Sequence, residues 1–287
     1  MGEIRSGDIV GRKSYRSDIL FRVEEIYEIH NEKYALLKGL DMRLNADAPL
    51  WDLELKEPPE ILEYRNKILE KYNAQIRNIL IDRELHRKYI NIGEKEEKKM
   101  HFFEVPGRVI HIDGDKEYLD KCMRNYMRLN IEAMGFYVPE KEQPYKVKEI
   151  LLENSADILV LTGHDGLKKN PENLSDLNNY RNSKYFIEAV RAARQLKPNK
   201  DDLVIFAGAC QSHFEAILEA GANFASSPKR VLIHAYDPIF VVEKIAYTYF
   251  DEVLNVQDVA KNSITGEDGI GGIETHGQFR WGYPKAW

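Results

Sequence analysis

Cysteine is scarce in this chain of 287 residues: there are two, Cys122 and Cys210. So few cysteines exclude a disulfide scaffold and point to a reducing compartment. No apolar run approaches the roughly 20 residues that a membrane-spanning helix needs. The opening "MGEIRSGDIVGRKSYRS" has no apolar stretch of the kind that marks a secretion signal. A strong excess of one charge is also missing. The formal net charge of −6 is too mild for a dedicated nucleic-acid binder. Together these absences predict a soluble cytoplasmic protein with neither a membrane nor a nucleic-acid partner. What is present is 43% hydrophobic residues over this length. That is enough for a buried core, in one large domain or two smaller ones.

Residues 1–57 alternate apolar and polar positions in short runs, "DIVGRKSY", "ILFRVEEIYEI", "KYALLKGL" and "LWDLEL", broken by "HNEK" and "NADAP". Period-two alternation with β-branched and aromatic residues predicts strands, and a small SH3-like β-barrel used for docking is the economical arrangement. Pro58 and Pro59 then fit the entrance of a helix. From 60 to 89 the chain is highly charged, with Leu62, Leu69 and Ile76 spaced seven apart and Tyr72 and Ile79 on the adjoining seam. That stripe serves either as a homodimer seam or as the face a helix lays on its own domain. The charged "GEKEEKKM" predicts a solvated linker, so residues 58–100 are expected to be a helical linker, with a domain boundary near 100.

Residues 101–287 change pattern. Apolar runs "GRVIHI", "EAMGFYV", "DILVLT", "LVIFAG", "NFAS" and "RVLIHA" alternate with amphipathic stretches at 116–129, 145–154, 182–196 and 212–220. Continuous apolar strands between helices predict an α/β domain, a mostly parallel sheet with helices on both faces. Right-handed crossovers then gather the loops at the carboxyl ends of the strands on one rim, where such proteins bind ligands.

That rim collects Asp113 and Asp115 after the first strand, His164 and Asp165 after the third, and Cys210 after the fourth. A cysteine nucleophile needs a thiolate or a nearby base, and a position at a helix start beside a histidine supplies both. With Gln211 and Ser212 expected to open the next helix, Cys210 would sit among free N–H groups able to hold an oxyanion. Gly163, Gly166 and Gly208 would let backbone and substrate approach closely. Cys122, inside "KEYLDKCMRNYMRL", is expected to be packing. Two other chemistries share these residues. Asp113 and Asp115 in "VIHIDGD" fit the Asp-x-Asp opening of a Mg²⁺-dependent phosphohydrolase. Cys210 and His213, with His164, form part of a zinc ligand set that lacks a second tight pair. A scaffold binding through the barrel and helix is the non-enzymatic alternative. "TGEDGIGGIETHG" is expected to be a mobile loop near the site, with His276 a spare candidate.

An apolar strand ending in a histidine, followed about 50 residues later by one ending in Ala-Cys, resembles the caspase-like cysteine peptidases. Here the pair is "LVLTGHDG" and "LVIFAGACQS". The resemblance implies a Cys210–His164 dyad with no cofactor and no metal, Asp165, Gly166 and Gln211 supporting the oxyanion, and Asp113 with Asp115 in the substrate pocket. Asp115 has the competing reading of a helix cap. In those peptidases His-Gly is the usual pair, so Asp165 stands where a glycine N–H would donate. A resemblance to the YabG family of sporulation-specific peptidases spans nearly the whole chain, through "GDIVGRKSYRSDILFRV", "PGRVIHIDGDKEYL", "ILVLTGHDG", "DLNNYRNSKYFIEAV", "LVIFAGACQSHFEAILEAGANFASSP" and "GIGGIETHG". It implies an endopeptidase acting on spore coat and cortex-associated proteins in the mother cell or developing spore. It also implies cleavage beside basic residues.

Overall fold

The computed structural model describes residues 3–92, 102–168 and 173–284. The chain divides into two compact units, Met1–Tyr72 and Asn73–Trp287. The linker expected over 93–100 lies outside the described residues.

In the first unit, strands β1 (Ile9–Arg12), β2 (Leu20–Ile29), β3 (Glu32–Gly39), β4 (Asn45–Pro49) and β5 (Leu53–Leu55) form one antiparallel sheet in the order β4-β3-β2-β1-β5. The alternation read from the sequence puts Val10, Phe21, Val23, Ala35, Leu37, Ala48 and Leu53 into its core. "NADAP" is not a break between strands; it is β4 itself. Its proline is tolerated because β4 is an edge strand, where an N–H missing from the ladder leaves no partner unpaired. A bulge between Val23 and Glu25 shifts the β2–β3 register, which strengthens the local twist.

Helix α1 (Pro58–Ile92) follows, and the division between the units falls within it. Tyr72 and Ile79 are buried, whereas Leu62 and Leu69 of the expected heptad seam are exposed. Among the described residues no helix is long and apolar enough to cross a membrane.

The second unit carries β6 (Phe103–Val105), β7 (Val109–Asp113), α2 (Lys116–Arg128), β8 (Ala133–Tyr137), α3 (Gln143–Glu153), β9 (Ile158–Thr162), α4 (Ser183–Leu196), β10 (Val204–Ala207), α5 (Phe214–Glu219) and β11 (Phe224–Ser226). After these come α6 (Asp237–Tyr247), β12 (Val253–Leu254), α7 (Val256–Asn262), β13 (Ile270–Gly272), β14 (Thr275–His276) and β15 (Arg280–Gly282). Six strands form a mixed sheet in the order β13-β11-β10-β9-β7-β8, parallel from β11 to β8, with β13 antiparallel at the edge. Every residue of β7, β9 and β10 is buried, which is why these runs are continuously apolar rather than alternating. Ile110, Ile112, Leu159, Leu161, Ile205 and Ala207 pack on the face covered by α3 and α4. The intervening residues of β7 and β9 face α2 and α6.

Two expected elements are absent from the places assigned to them. "RVLIHA" belongs to no strand of the sheet, and the "GIGG" stretch expected to be a mobile loop supplies β13, paired with β11.

Candidate active site

β9 and β10 are adjacent and parallel, with Leu161 opposite Ala207. His164 and Cys210 each lie three residues beyond that pair, in the loops that leave these two neighbouring strands at the same end of the sheet. Strands stand about 4.8 Å apart. Gly208 has φ +111°, a backbone conformation that favours glycine, and it begins the turn that carries Cys210.

That turn differs from the expected helix start. α5 begins only at Phe214, with His213 as its cap, so Cys210 precedes the helix by four residues and gains no free N–H groups from it. The Gln211 N–H donates to Val231 O at 3.0 Å and Ser227 Oγ at 3.1 Å. Cys210 itself is fully buried. Its Sγ accepts the Ile233 N–H at 3.1 Å and lies 3.7 Å from Ile233 O, against the "RVLIHA" segment. Cys122 is buried on α2, its Sγ 3.6 Å from Ala235 O.

His164 is held at three points. Its backbone N–H donates to Glu140 Oε1 at 2.7 Å, its carbonyl accepts from Asn182 Nδ2 at 2.8 Å, and ring Nε2 meets Asp115 Oδ2 at 2.8 Å. Asp115 thus does two things. Oδ1 caps α2 by accepting the Glu117 and Tyr118 N–H groups, and Oδ2 fixes the imidazole. A carboxylate at Nε2 puts the proton on that nitrogen and leaves Nδ1 with its lone pair. Nδ1 is buried and has no hydrogen-bond partner. The sequence offered the cap; the second role needs β7 and β9 side by side.

Asp113 is placed differently from Asp115. It is completely buried, Oδ1 accepts the Asp115 N–H and Oδ2 accepts the Thr162 hydroxyl, both at 2.9 Å. His111 continues the chain, meeting Thr162 Oγ1 at 2.7 Å and the Tyr126 hydroxyl at 3.1 Å. Asp113 supports the loop from beneath rather than walling a pocket.

Asp165 is also buried, and all its partners belong to the rim. Oδ1 accepts the Gly166 and Asn182 N–H groups at 2.8 Å each, and Oδ2 accepts the hydroxyls of Ser212, at 2.9 Å, and of Ser183. Ser212 Oγ accepts in turn from the Ala209 N–H at 2.9 Å. One carboxylate therefore ties the His164 loop, the start of α4 and the Cys210 turn together. Burial pushes its carboxyl up, and the donors from Ser183, Asn182, Gly166 and Ser212 offset only part of that. The Gly166 N–H, read as an oxyanion donor, is engaged by this carboxylate.

Glu140 was not legible in the sequence as a site residue. It lies against Gly114 and Gly163, where an added Cβ would meet its carboxylate at 2.3 and 2.4 Å, so those glycines make room for it. Its burial is partial, and no charge pattern around "VPEKE" marked it. His213 caps α5 through Nδ1, and its Nε2 lies 3.2 Å from Ser175 O. His276 lies instead on β14 beside Asp201, which precedes β10 at the opposite end of the sheet. Among the described residues no group of three or more His, Cys, Asp and Glu side chains gathers to hold a metal ion.

Comparison with known proteins follows from this geometry. Residues 5–284 match the family model described as YabG peptidase U57. The chain is similar to the sporulation-specific protease YabG of Bacillus subtilis (strain 168), 42% identical over 286 residues that cover 98% of each protein. Among solved structures, it is similar to the response regulator RcsB of Salmonella typhimurium at 15% identity and TM-score 0.26, over 40% of this chain and 49% of that one. The isolated receiver domain of RcsB from Salmonella enterica serovar Typhimurium gives 15% identity and TM-score 0.27, over 41% and 74%. Scores this low carry no argument about fold or function.

Proposed function

Since the chain belongs to the YabG peptidase U57 family, and is a peptidase, we propose that Cys210 is its nucleophile and His164 its acid–base partner. His164 Nδ1 takes the thiol proton as sulfur attacks the scissile carbonyl carbon. It then returns that proton to the departing amine, leaving an acyl-enzyme that water hydrolyses. Asp115 orients the ring and stabilises the imidazolium. The observation carrying this reading is that the loops of the two residues leave the neighbouring strands β9 and β10 at the same end of the sheet. Because Cys210 is buried against Ile233, substrate has to displace that segment to reach sulfur, and the buried thiol is the resting form.

We read the α/β unit as caspase-like and the antiparallel unit as an SH3-like docking module. A protease role in sporulation is what the relative's name supports, and we read its substrates as spore coat and cortex-associated proteins of the mother cell or forming spore. Cleavage is beside Arg or Lys. The carboxylate we assign to that side chain is Glu140, since Asp113 is closed off. Glu140 is half-buried beside the His164 loop and accepts the His164 N–H.

The test is cleavage of a coat-protein mixture read by mass spectrometry. Cys210→Ala and His164→Ala are each expected to abolish product while the far-ultraviolet spectrum is kept, and Cys122→Ala to retain it. Full activity in Cys210→Ala would sink the assignment. Chelation is expected to leave the rate within about twofold, and iodoacetamide to remove it. A peptide library on Glu140→Gln, which keeps an acceptor for the His164 N–H, is expected to lose about tenfold in kcat/KM on basic substrates. An unchanged preference would move the pocket elsewhere.

A further inference from the structure

A cavity of about 230 Å³ lies in the second unit, well away from the rim that carries His164 and Cys210. The Gly107 N–H, at the approach to β7, donates to Ala246 O at 3.2 Å, which sets the last turn of α6 at the amino ends of the strands. That turn supplies Glu243, Lys244 and Tyr247 to the cavity, and β6 supplies Glu104.

One wall is aromatic. Phe279 packs 5.8 Å from Tyr247, and it meets Tyr249 and Trp281 edge-on at 5.1 and 5.3 Å. Trp281 Nε1 donates to the Tyr249 hydroxyl at 3.0 Å, which fixes the two rings relative to each other. Phe279 is buried, but Trp281 is 38% exposed, so this wall opens to water. The charged part of the lining is mostly acidic. Asp82, Glu104, Glu243, Glu252 and Asp258 face it, against Arg83 and Lys244.

The molecule already holds one cation by this chemistry. The Arg83 guanidinium lies 3.2 Å from the centre of the Tyr247 ring, donates to Glu243 Oε1 at 2.8 Å and to Leu129 O at 2.9 Å. Ring face on one side and carboxylate on the other is how a desolvated cation is kept. A second indication is the Tyr249 phenol. Its pKa is raised by burial and then by the charges of Glu252, Glu104 and Asp251, and the Trp281 hydrogen bond offsets only part of this. Burial is the main cause of that rise, and the nearby carboxylates add to it.

We infer that this cavity is a docking site for a lysine or arginine side chain of a protein partner, its cationic end among Glu104, Glu252 and Asp258 and its stem against Tyr249 and Trp281. The cavity's volume of about 230 Å³ accommodates one such side chain. A shallower groove over Gln75, Asn78 and Lys261 shares Asp82, Lys244, Asp258 and Asn262 with the cavity and gives the flanking backbone a path. The site is separate from the proposed cleavage pocket. α6 runs from the segment beside Cys210 to the cavity, with six residues, about 9 Å of helix, before Glu243 and about 16 Å to the far end of its 11 residues. An extended substrate needs about three to five residues to span that, so this site anchors a basic residue away from the scissile bond.

The full chain carrying Cys210→Ala is used for the test, so that binding is read without cleavage and independently of the catalytic assignment. A Gly-Ser peptide with one central arginine, and the same peptide with norleucine, are titrated to about 10 mM, a range suited to single-side-chain affinity. The readout is the Trp281 indole N–H resonance, assigned with Trp281→Phe. The arginine peptide is expected to shift that resonance saturably and the norleucine peptide to leave it. Glu104→Gln with Glu252→Gln is expected to weaken the arginine peptide at least about fivefold. Equal shifts from both peptides, undiminished binding in the double variant, or no shift from the arginine peptide would each overturn the inference.

Discussion

Each unit of the chain buries an aspartate beneath a junction of loops, and the two are held by opposite means. In the antiparallel unit Asp52 meets the Arg12 guanidinium at 2.9 Å and accepts from Ser14 N and Oγ at 2.9 and 2.8 Å. In the α/β unit Asp165 accepts from two backbone N–H groups and two serine hydroxyls. Burial pushes both carboxyls up. For Asp52 the Ser14 donors and the Arg12 charge outweigh burial and hold it below the usual carboxylate range; for Asp165 neutral donors do not, and it stays above. The difference teaches that the balance between burial and donors sets the sign: the Ser14 donors, ahead of Arg12, offset burial at Asp52, whereas burial outweighs four neutral donors at Asp165. The rim beside Cys210 is braced by hydrogen bonds that tie its loops together.

The strongest way to break this comparison is to delete each carboxylate. Asp165→Ala leaves four donors buried without an acceptor and unties the His164 loop from the Cys210 turn. It is expected to cost about 3–5 kcal/mol of stability and at least about a hundredfold in kcat/KM. Asp52→Ala is expected to cost less, about 1–3 kcal/mol, because Arg12 is partly exposed and regains water. Short-peptide cleavage should then stay within about twofold. Denaturant melts and peptide kinetics on both variants check the pair; equal losses of activity would show that the brace is not specific to Asp165.

A smaller effect is expected from the partner of His164. Asp115→Asn keeps an acceptor for the α2 N–H groups but allows the wrong imidazole tautomer, so kcat is expected to fall about ten- to a hundredfold with little change in stability. A loss in KM alone would instead assign Asp115 to substrate binding.

The smallest effect is in the pH dependence, and its sign separates the two aspartates. Asp52 is lowered on folding, so its contribution is complete above the unfolded value of about 3.9 and is lost as pH falls through the lower folded value. Asp165 is raised, so its contribution is complete below about 3.9 and is lost as pH rises through the higher folded value. Hydrogen exchange of each unit across this range, compared with Asp52→Asn and Asp165→Asn, is expected to give slopes of opposite sign. Slopes of the same sign would mean that Asp165 is ionised and that an unrecognised cation supports it.

Much of the α/β unit is legible because burial on both faces writes itself as unbroken apolar runs, and β7, β9 and β10 fall where "VIHI", "ILVLT" and "VIFA" put them. The same rule misjudged "RVLIHA", which is apolar because it covers Cys210 and not because it pairs in the sheet. "NADAP" was misread for the reverse reason: its composition describes a turn, and only its edge position makes it a strand.

By itself the sequence determined local things. It set the period of each segment, the glycine at 208 that a φ of +111° favours, and the distance of His164 and Cys210 from the ends of their strands. These depend on the backbone and on side-chain polarity within a few residues. Tertiary structure decided what each polar group faces. Asp113 and Asp115 are two residues apart, yet one is sealed under Thr162 and the other holds His164. Glu140 meets His164 across 24 residues of sequence, and Asp165 meets Ser212 across 47. Nothing local encodes such partners, because a hydrogen bond is specified by where the parallel strands bring their loops, and that is fixed by the packing of the whole sheet.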